Sequence, residues 1–154
     1  MKILPLVLVL ATSTFGSVAT PASAQSISAA EQQCRLAVSA AEDFLINGRR
    51  LWITDVFVNR IANYYTSYPR HSPLELTIGI DGDTAPDMMF SPRLFTSATE
   101  IIFQGCPEVG LVTFVVANTD WAISFSLIGN QVKEFECVDA GQEGPIRWGY
   151  TECL

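Results

Sequence analysis

His71 is the only histidine in the sequence, so a serine or cysteine nucleophile that needs an imidazole base must use it. It stands in Arg70-His71-Ser72-Pro73, a turn-like stretch before an alternating run, with neither a G-x-S-x-G elbow nor an H-E-x-x-H helix anywhere in the chain. A surface histidine is the commoner explanation. Carboxylates are more suggestive. Asp81-Gly82-Asp83-Thr84-Ala85-Pro86-Asp87 puts three of them within seven residues, and hard oxygen donors of this kind suit Ca²⁺. Asp81, Asp83 and Asp87 are therefore the candidate metal ligands, and calcium is the one cofactor the sequence suggests. The EF-hand register fails, with Ala85 at the fifth position, Pro86 in place of the turn glycine and Pro92 where the closing glutamate belongs. Aspartate and glycine are also what an ordinary exposed turn uses. Glu134 and Glu136 alternate along one expected strand and are close enough to consider as a hydrolytic carboxylate pair. Tyr64, Tyr65, Tyr68, Trp148 and Tyr150 could form a stacking platform for a sugar or peptide, against the commoner fate of buried packing.

The cysteines decide how much of this chemistry is open. Cys34, Cys106, Cys137 and Cys153 are the whole set. Their spacings of 72, 31 and 16 contain no close C-x-x-C pair of the kind zinc sites use, whereas an even count in a small exported chain reads as a disulfide framework. Three pairings exist. A meander over Leu111–Val138 would put Cys106 and Cys137 at opposite ends of its strands, roughly 20 Å apart at about 3.3 Å per residue, beyond disulfide reach. Of the two remaining pairings, Cys34–Cys106 with Cys137–Cys153 is favoured. A full-length final strand beside Val132–Val138 would move Cys153 to the Cys106 end and change it.

The case for export lies in residues 1–24. Lys2 supplies a positive start, Ile3 to Ala11 an apolar stretch broken only by Pro5, and Ala22-Ser23-Ala24 the small-residue site that a signal peptidase reads. Cleavage is expected between Ala24 and Gln25, with Ser17-Val18-Ala19 the weaker alternative. The apolar run is too short for a spanning helix, which needs about 20 residues, and the first cysteine lies ten positions past the cut, too far to carry a lipid. A mature domain of 154 − 24 = 130 residues is expected, one globular unit over 25–154. Its formal charge is −8, because removal of Lys2 lowers the −7 of the whole chain. With Lys133 its single lysine, it is a poor match for nucleic acid or an anionic membrane surface. No P-loop and no dinucleotide fingerprint occurs. Asn118-Thr119-Asp120 misses the glycosylation acceptor by register. That absence and the arginine-rich, lysine-poor composition suggest a bacterial chain, placed in the periplasm or secreted to the medium.

The elements follow from periodicity. Ser28-Ala-Ala-Glu31 is a capping-box pattern. Cys34, Ala37, Val38, Ala41, Phe44 and Leu45 then hold one helical face until Asn47-Gly48 stops it. Residues 52–66 fit a second helix through Ile53, Val56, Phe57, Ile61, Tyr64 and Tyr65, although their composition is rich in β-branched and aromatic types. Leu74 to Ile80 alternate as a half-buried strand, and Ser91-Pro92 opens a helix running to Gly105, with Thr99–Gln104 open to a strand reading. Leu111–Ala117, Trp121–Leu127 and Val132–Val138 form the meander, with Gly129-Asn130 as a tight hairpin turn. Ile146–Cys153 is expected as a short edge strand. The fold class is α+β: N-terminal helices packed on a mainly antiparallel sheet, braced by disulfides.

With the cysteines bridged and one histidine left, the sequence points to a small exported binding module without catalysis, its partner a protein, an envelope component or a small ligand. The alternatives are a hydrolase using His71 or carboxylates, and a calcium-binding module.

Overall fold

The computed structural model describes residues 27–139 and 145–153. The expected leader, its cut at Ala24 and most of the loop at Gly141–Pro145 lie outside the described residues.

Ser28 starts the first helix as its pattern implies: the hydroxyl accepts the Glu31 N–H at 3.1 Å, and α1 runs over Ala29–Ile46. At the other end Arg49 donates to the carbonyls of Phe44, Leu45 and Asn47 at 2.9–3.1 Å, satisfying acceptors the helix leaves open. After a turn the chain enters β1 (Trp52–Arg60), a single 3₁₀ turn (Ile61–Asn63) and β2 (Tyr65–Thr66). The second helix expected at 52–66 is therefore a strand. Ile53, Thr54, Val56, Phe57 and Val58 are stiff or bulky at χ1 and favour extended backbone, and β1 finds an antiparallel partner in β3 (Leu74–Asp81).

Next come a short helix α2 (Ala85–Met88) and the longer α3 (Pro92–Gly105), so Thr99–Gln104 is helical. Strand β4 (Val109–Val116) lies parallel to β3, and β5 (Ala122–Ile128) and β6 (Gln131–Glu134) continue antiparallel. The five-stranded sheet has the order β1-β3-β4-β5-β6. Three of its four pairings are antiparallel, and the fold is α+β.

The strand expected at Val132–Val138 breaks at Phe135, whose side chain is buried in a second core. Beyond it β7 (Glu136–Asp139) leaves the main sheet and pairs in parallel with β9 (Tyr150–Cys153), while β8 (Ile146–Arg147) pairs with β2. The last segment is thus two short strands outside the sheet.

Two cores result. Phe95 of α3 lies 4.6 Å from Phe114 and 6.3 Å from Phe125, centroid to centroid, sealing the helix onto the sheet. Ile61, Leu111 and Phe135 centre a smaller core on the opposite face, with Tyr65, Tyr68 and Trp148 packed against it. The N-terminal helix reaches the main core through Ala41 and Leu45, yet it stacks on α3 more than on the sheet. Gly105 permits that approach: a Cβ there would collide with Ala37 Cβ and sit 3.0 Å from the Gln33 carbonyl.

One residue on, Cys34–Cys106 locks the crossing, as favoured. Cys137 is disulfide-bonded as well; the side chain of Cys153, its expected partner, lies outside the described residues. The parallel β7–β9 pairing excludes the full-length antiparallel partner that would have moved Cys153 toward Cys106.

The 72-residue separation of the first bridge sets its worth. In the chain-entropy relation it contributes about 4 kcal/mol. Replacing both Cys34 and Cys106 with Ala should lower the unfolding free energy by about that much in urea titrations. Gly105→Ala, with the bridge intact, should cost about 1–3 kcal/mol through overpacking against Ala37.

Candidate functional site

The acidic loop is held by its own hydrogen bonds. Asp81 ends β3 and its carboxylate accepts the Gly82 N–H at 2.6 Å. Asp83 pairs with Arg50 at 3.2 Å, both side chains well exposed, an arrangement that contributes under about 1 kcal/mol. Thr84 donates its N–H and hydroxyl to the Arg50 carbonyl at 3.4 and 3.2 Å, so the loop is latched to the corner between α1 and β1. Asp87 lies in the first turn of α2 and is exposed. Among the described residues no three His, Cys, Asp or Glu side chains come together to hold a metal ion. The three aspartates are neighbours in sequence that do not converge.

His71 is exposed and lines a cleft of about 330 Å³ with Ser72, Phe103, Ser126 and Leu127. Both serines are buried. A serine nucleophile must give its hydroxyl proton to a base, but Ser72 donates to the Pro107 carbonyl at 2.7 Å and Ser126 to the Gly110 carbonyl at 2.6 Å. Among the described residues there is no free cysteine. In this cleft both serine hydroxyls beside the imidazole are directed to backbone carbonyls.

Glu134 and Glu136 part at Phe135: the first ends β6 in the main sheet, the second begins β7 outside it. Burial raises the Glu134 carboxyl above the ordinary range. It lines a cleft of about 660 Å³ with Phe90, Trp121, Ser124, Thr151 and Glu152. Phe90 and Trp121 meet edge to face there at 5.0 Å.

Beneath this cleft runs a polar strip that periodicity did not reveal. Thr113 donates to Glu75 Oε1 at 2.7 Å and shares a hydrogen bond of 2.9 Å with Ser124, joining β3, β4 and β5 on the face away from the helices. Thr77, Ser124 and Ser126 are buried, although their alternation with apolar residues reads as a solvent face. The missed signal is composition: small hydroxyls, rather than charged side chains, fill those positions.

The aromatic platform divides. Tyr65, Phe135 and Trp148 meet one another edge-on at 5.1–5.7 Å and fill the second core. Arg70 caps Tyr68 at 5.1 Å and Arg147 caps Tyr150 at 5.5 Å, while Tyr64 points to solvent. Packing takes the rings a stacking surface would need.

Among the described residues, β1 has no strand paired on its outer side. It is an end strand of the sheet, and Trp52, Val56, Phe57 and Val58 are 54, 40, 50 and 57% exposed. At its start Thr54 is an extra residue, placed with Asp55 over Gly79, where a Cβ would collide with the Thr54 hydroxyl. Compared with protein-family models, with curated proteins and with solved structures, the chain matches none.

The Tyr65 hydroxyl gives a pH handle on the second core. Burial first, then the Glu75 carboxylate, push its pKa up to about 12; a hydrogen bond with Thr151 offsets part of this and Glu152 adds to it. An unfolded tyrosine ionises near pH 10, so the folded state holds its proton more tightly. The stability this contributes is full below about pH 10 and lost as pH rises through about 12. Tyr65→Phe should flatten the fall of the urea midpoint across that window. An equally steep fall in the variant would remove Tyr65 as its source.

Proposed function

We propose that this chain is exported, cut after Ala24, and works without catalysis as a binding module whose contact surface is the outer edge of β1. The observation that supports it is the contrast between the two ends of the sheet. The β6 end is four residues long, carries Lys133 and terminates at the Phe135 break, the kind of short, charged edge that discourages pairing. The β1 end is nine residues long, holds neither lysine nor proline, and exposes apolar side chains on both faces. Outward N–H and C=O groups along such a strand accept another extended segment as a further strand.

The disulfides suit an oxidising compartment. Among the described residues no helix is long and apolar enough to cross a membrane. Ser72 and Ser126 are engaged with backbone carbonyls, Asp81 with the Gly82 N–H and Glu75 with the Thr113 hydroxyl.

The test is capture from the medium or periplasmic extract of the native host, on immobilised wild-type protein and on a Val58→Lys variant. Val58 is exposed, so the variant should melt like the wild type yet lose about tenfold or more of the bound partner. Equal capture by both would remove β1 as the contact surface. The same extract tests export: the intact mass should be that of a chain beginning at Gln25.

A further inference from the structure

We infer that the strand received by β1 is the β1 of a second copy, paired antiparallel about a two-fold axis at Phe57. This inference rests on the reading of β1 as the contact edge and adds the identity of the occupant.

The argument is one of register. A two-fold axis normal to a sheet preserves its faces, so each β1 residue must oppose one that points to the same side. The pairing with β3 assigns those sides: Asp55, Phe57 and Asn59 oppose Gly79, Thr77 and Glu75, while Val56 and Val58 oppose Ile78 and Leu76.

An axis at Phe57 sets Phe57 against Phe57, Val56 against Val58 of the second copy, and the Asp55 carboxylate against the Asn59 amide. Exposed apolar residues then meet on both faces, and an acceptor meets a donor at the ends. Moving the axis to Val56 would set Phe57 against Asp55 and Val58 against Thr54. Moving it to Val58 would set Phe57 against Asn59 and Val56 against Arg60. Of these three registers, only the one at Phe57 pairs apolar with apolar on both faces and an acceptor with a donor at the ends.

Charge does not oppose this occupant. The mature chain carries −8, but Trp52–Arg60 holds one aspartate and one arginine and is neutral. Two acidic copies meeting along this edge bring neutral segments together and keep their net charges apart. The residual repulsion is long-ranged and screened by salt, so this dimer tightens as ionic strength rises, whereas a cationic partner would be released.

Sedimentation equilibrium on the oxidised mature protein tests the inference. The expected mass is twice that of the chain, with the dissociation constant falling between low and physiological salt. Phe57→Lys should give a monomer with an unchanged melt, and Val58→Lys should do the same. Leu36→Lys, at an exposed apolar site on α1, should leave the dimer intact. Amide exchange along β1 should slow with protein concentration in the wild type and in Leu36→Lys, and in neither of the two β1 variants.

A monomeric wild type overturns the dimer, and if Val58→Lys still abolishes capture from the extract, the binding edge survives with another occupant. A dimer that both lysine variants retain overturns the inference and places the contact elsewhere.

Discussion

Parallel pairing of β3 with β4 is the constraint from which most of the molecule follows. Two neighbouring parallel strands cannot be joined by a hairpin; the chain must return over a face of the sheet. Here the return is α3, and Phe95 fixes it there against Phe114 and Phe125. The same crossover ends at Cys106, immediately before β4. The disulfide therefore delivers α1 to the one element already committed to that face. The other face carries the smaller core around Leu111 and Phe135, and beside it the floor holds hydroxyls and Glu75 in a hydrogen-bonded row. That row is affordable only because each buried group has a partner.

Elements whose stop signals and periodicity agreed were legible in the sequence. Ser28 and the 3.6-residue stripe gave α1, Ser91-Pro92 gave the start of α3, and Gly129-Asn130 gave the β5–β6 turn. Residues 52–66 were misread because Ile53, Val56, Phe57 and Ile61 also fall at helical spacing. Period and residue type disagreed there, and long-range pairing with β3 decided for type. The break at Phe135 had no local marker. An unbroken alternation from Val132 to Val138 fits a straight strand, and only the second core, built from Tyr65 and Trp148 far away in sequence, draws Phe135 aside.

The candidate site was legible in its parts and not in its assembly. Sequence proximity brought Asp81, Asp83 and Asp87 together on paper, yet a turn points neighbouring side chains in different directions, and Gly82 and Arg50 take two of them. His71, Ser72 and Ser126 do share a cleft, a convergence no spacing could reveal, and the carbonyls of Pro107 and Gly110 then hold the hydroxyls. Conversely, β1 carried its exposed apolar residues in plain view as Val56, Phe57 and Val58. Read as a helix, those residues belonged to a core; read as a strand, they belong to an edge.

That edge is bare because of where α1 is held. A helix lying along the near face of β1 could cover Val56 and Val58, each worth about 1.5–3 kcal/mol if fully buried. Instead α1 is clamped to α3, by the Cys34–Cys106 bridge at one point and by the close approach of Ala37 to Gly105 beside it. The clamp thus stabilises the fold and leaves an apolar strand uncovered by the same act. A chain that gains its stability from a covalent tie need not bury every apolar strand, and so can keep one available for contact. On this view the disulfide and the open edge are two consequences of one arrangement: the bridge sets the position of the helix, and the position of the helix exposes the strand.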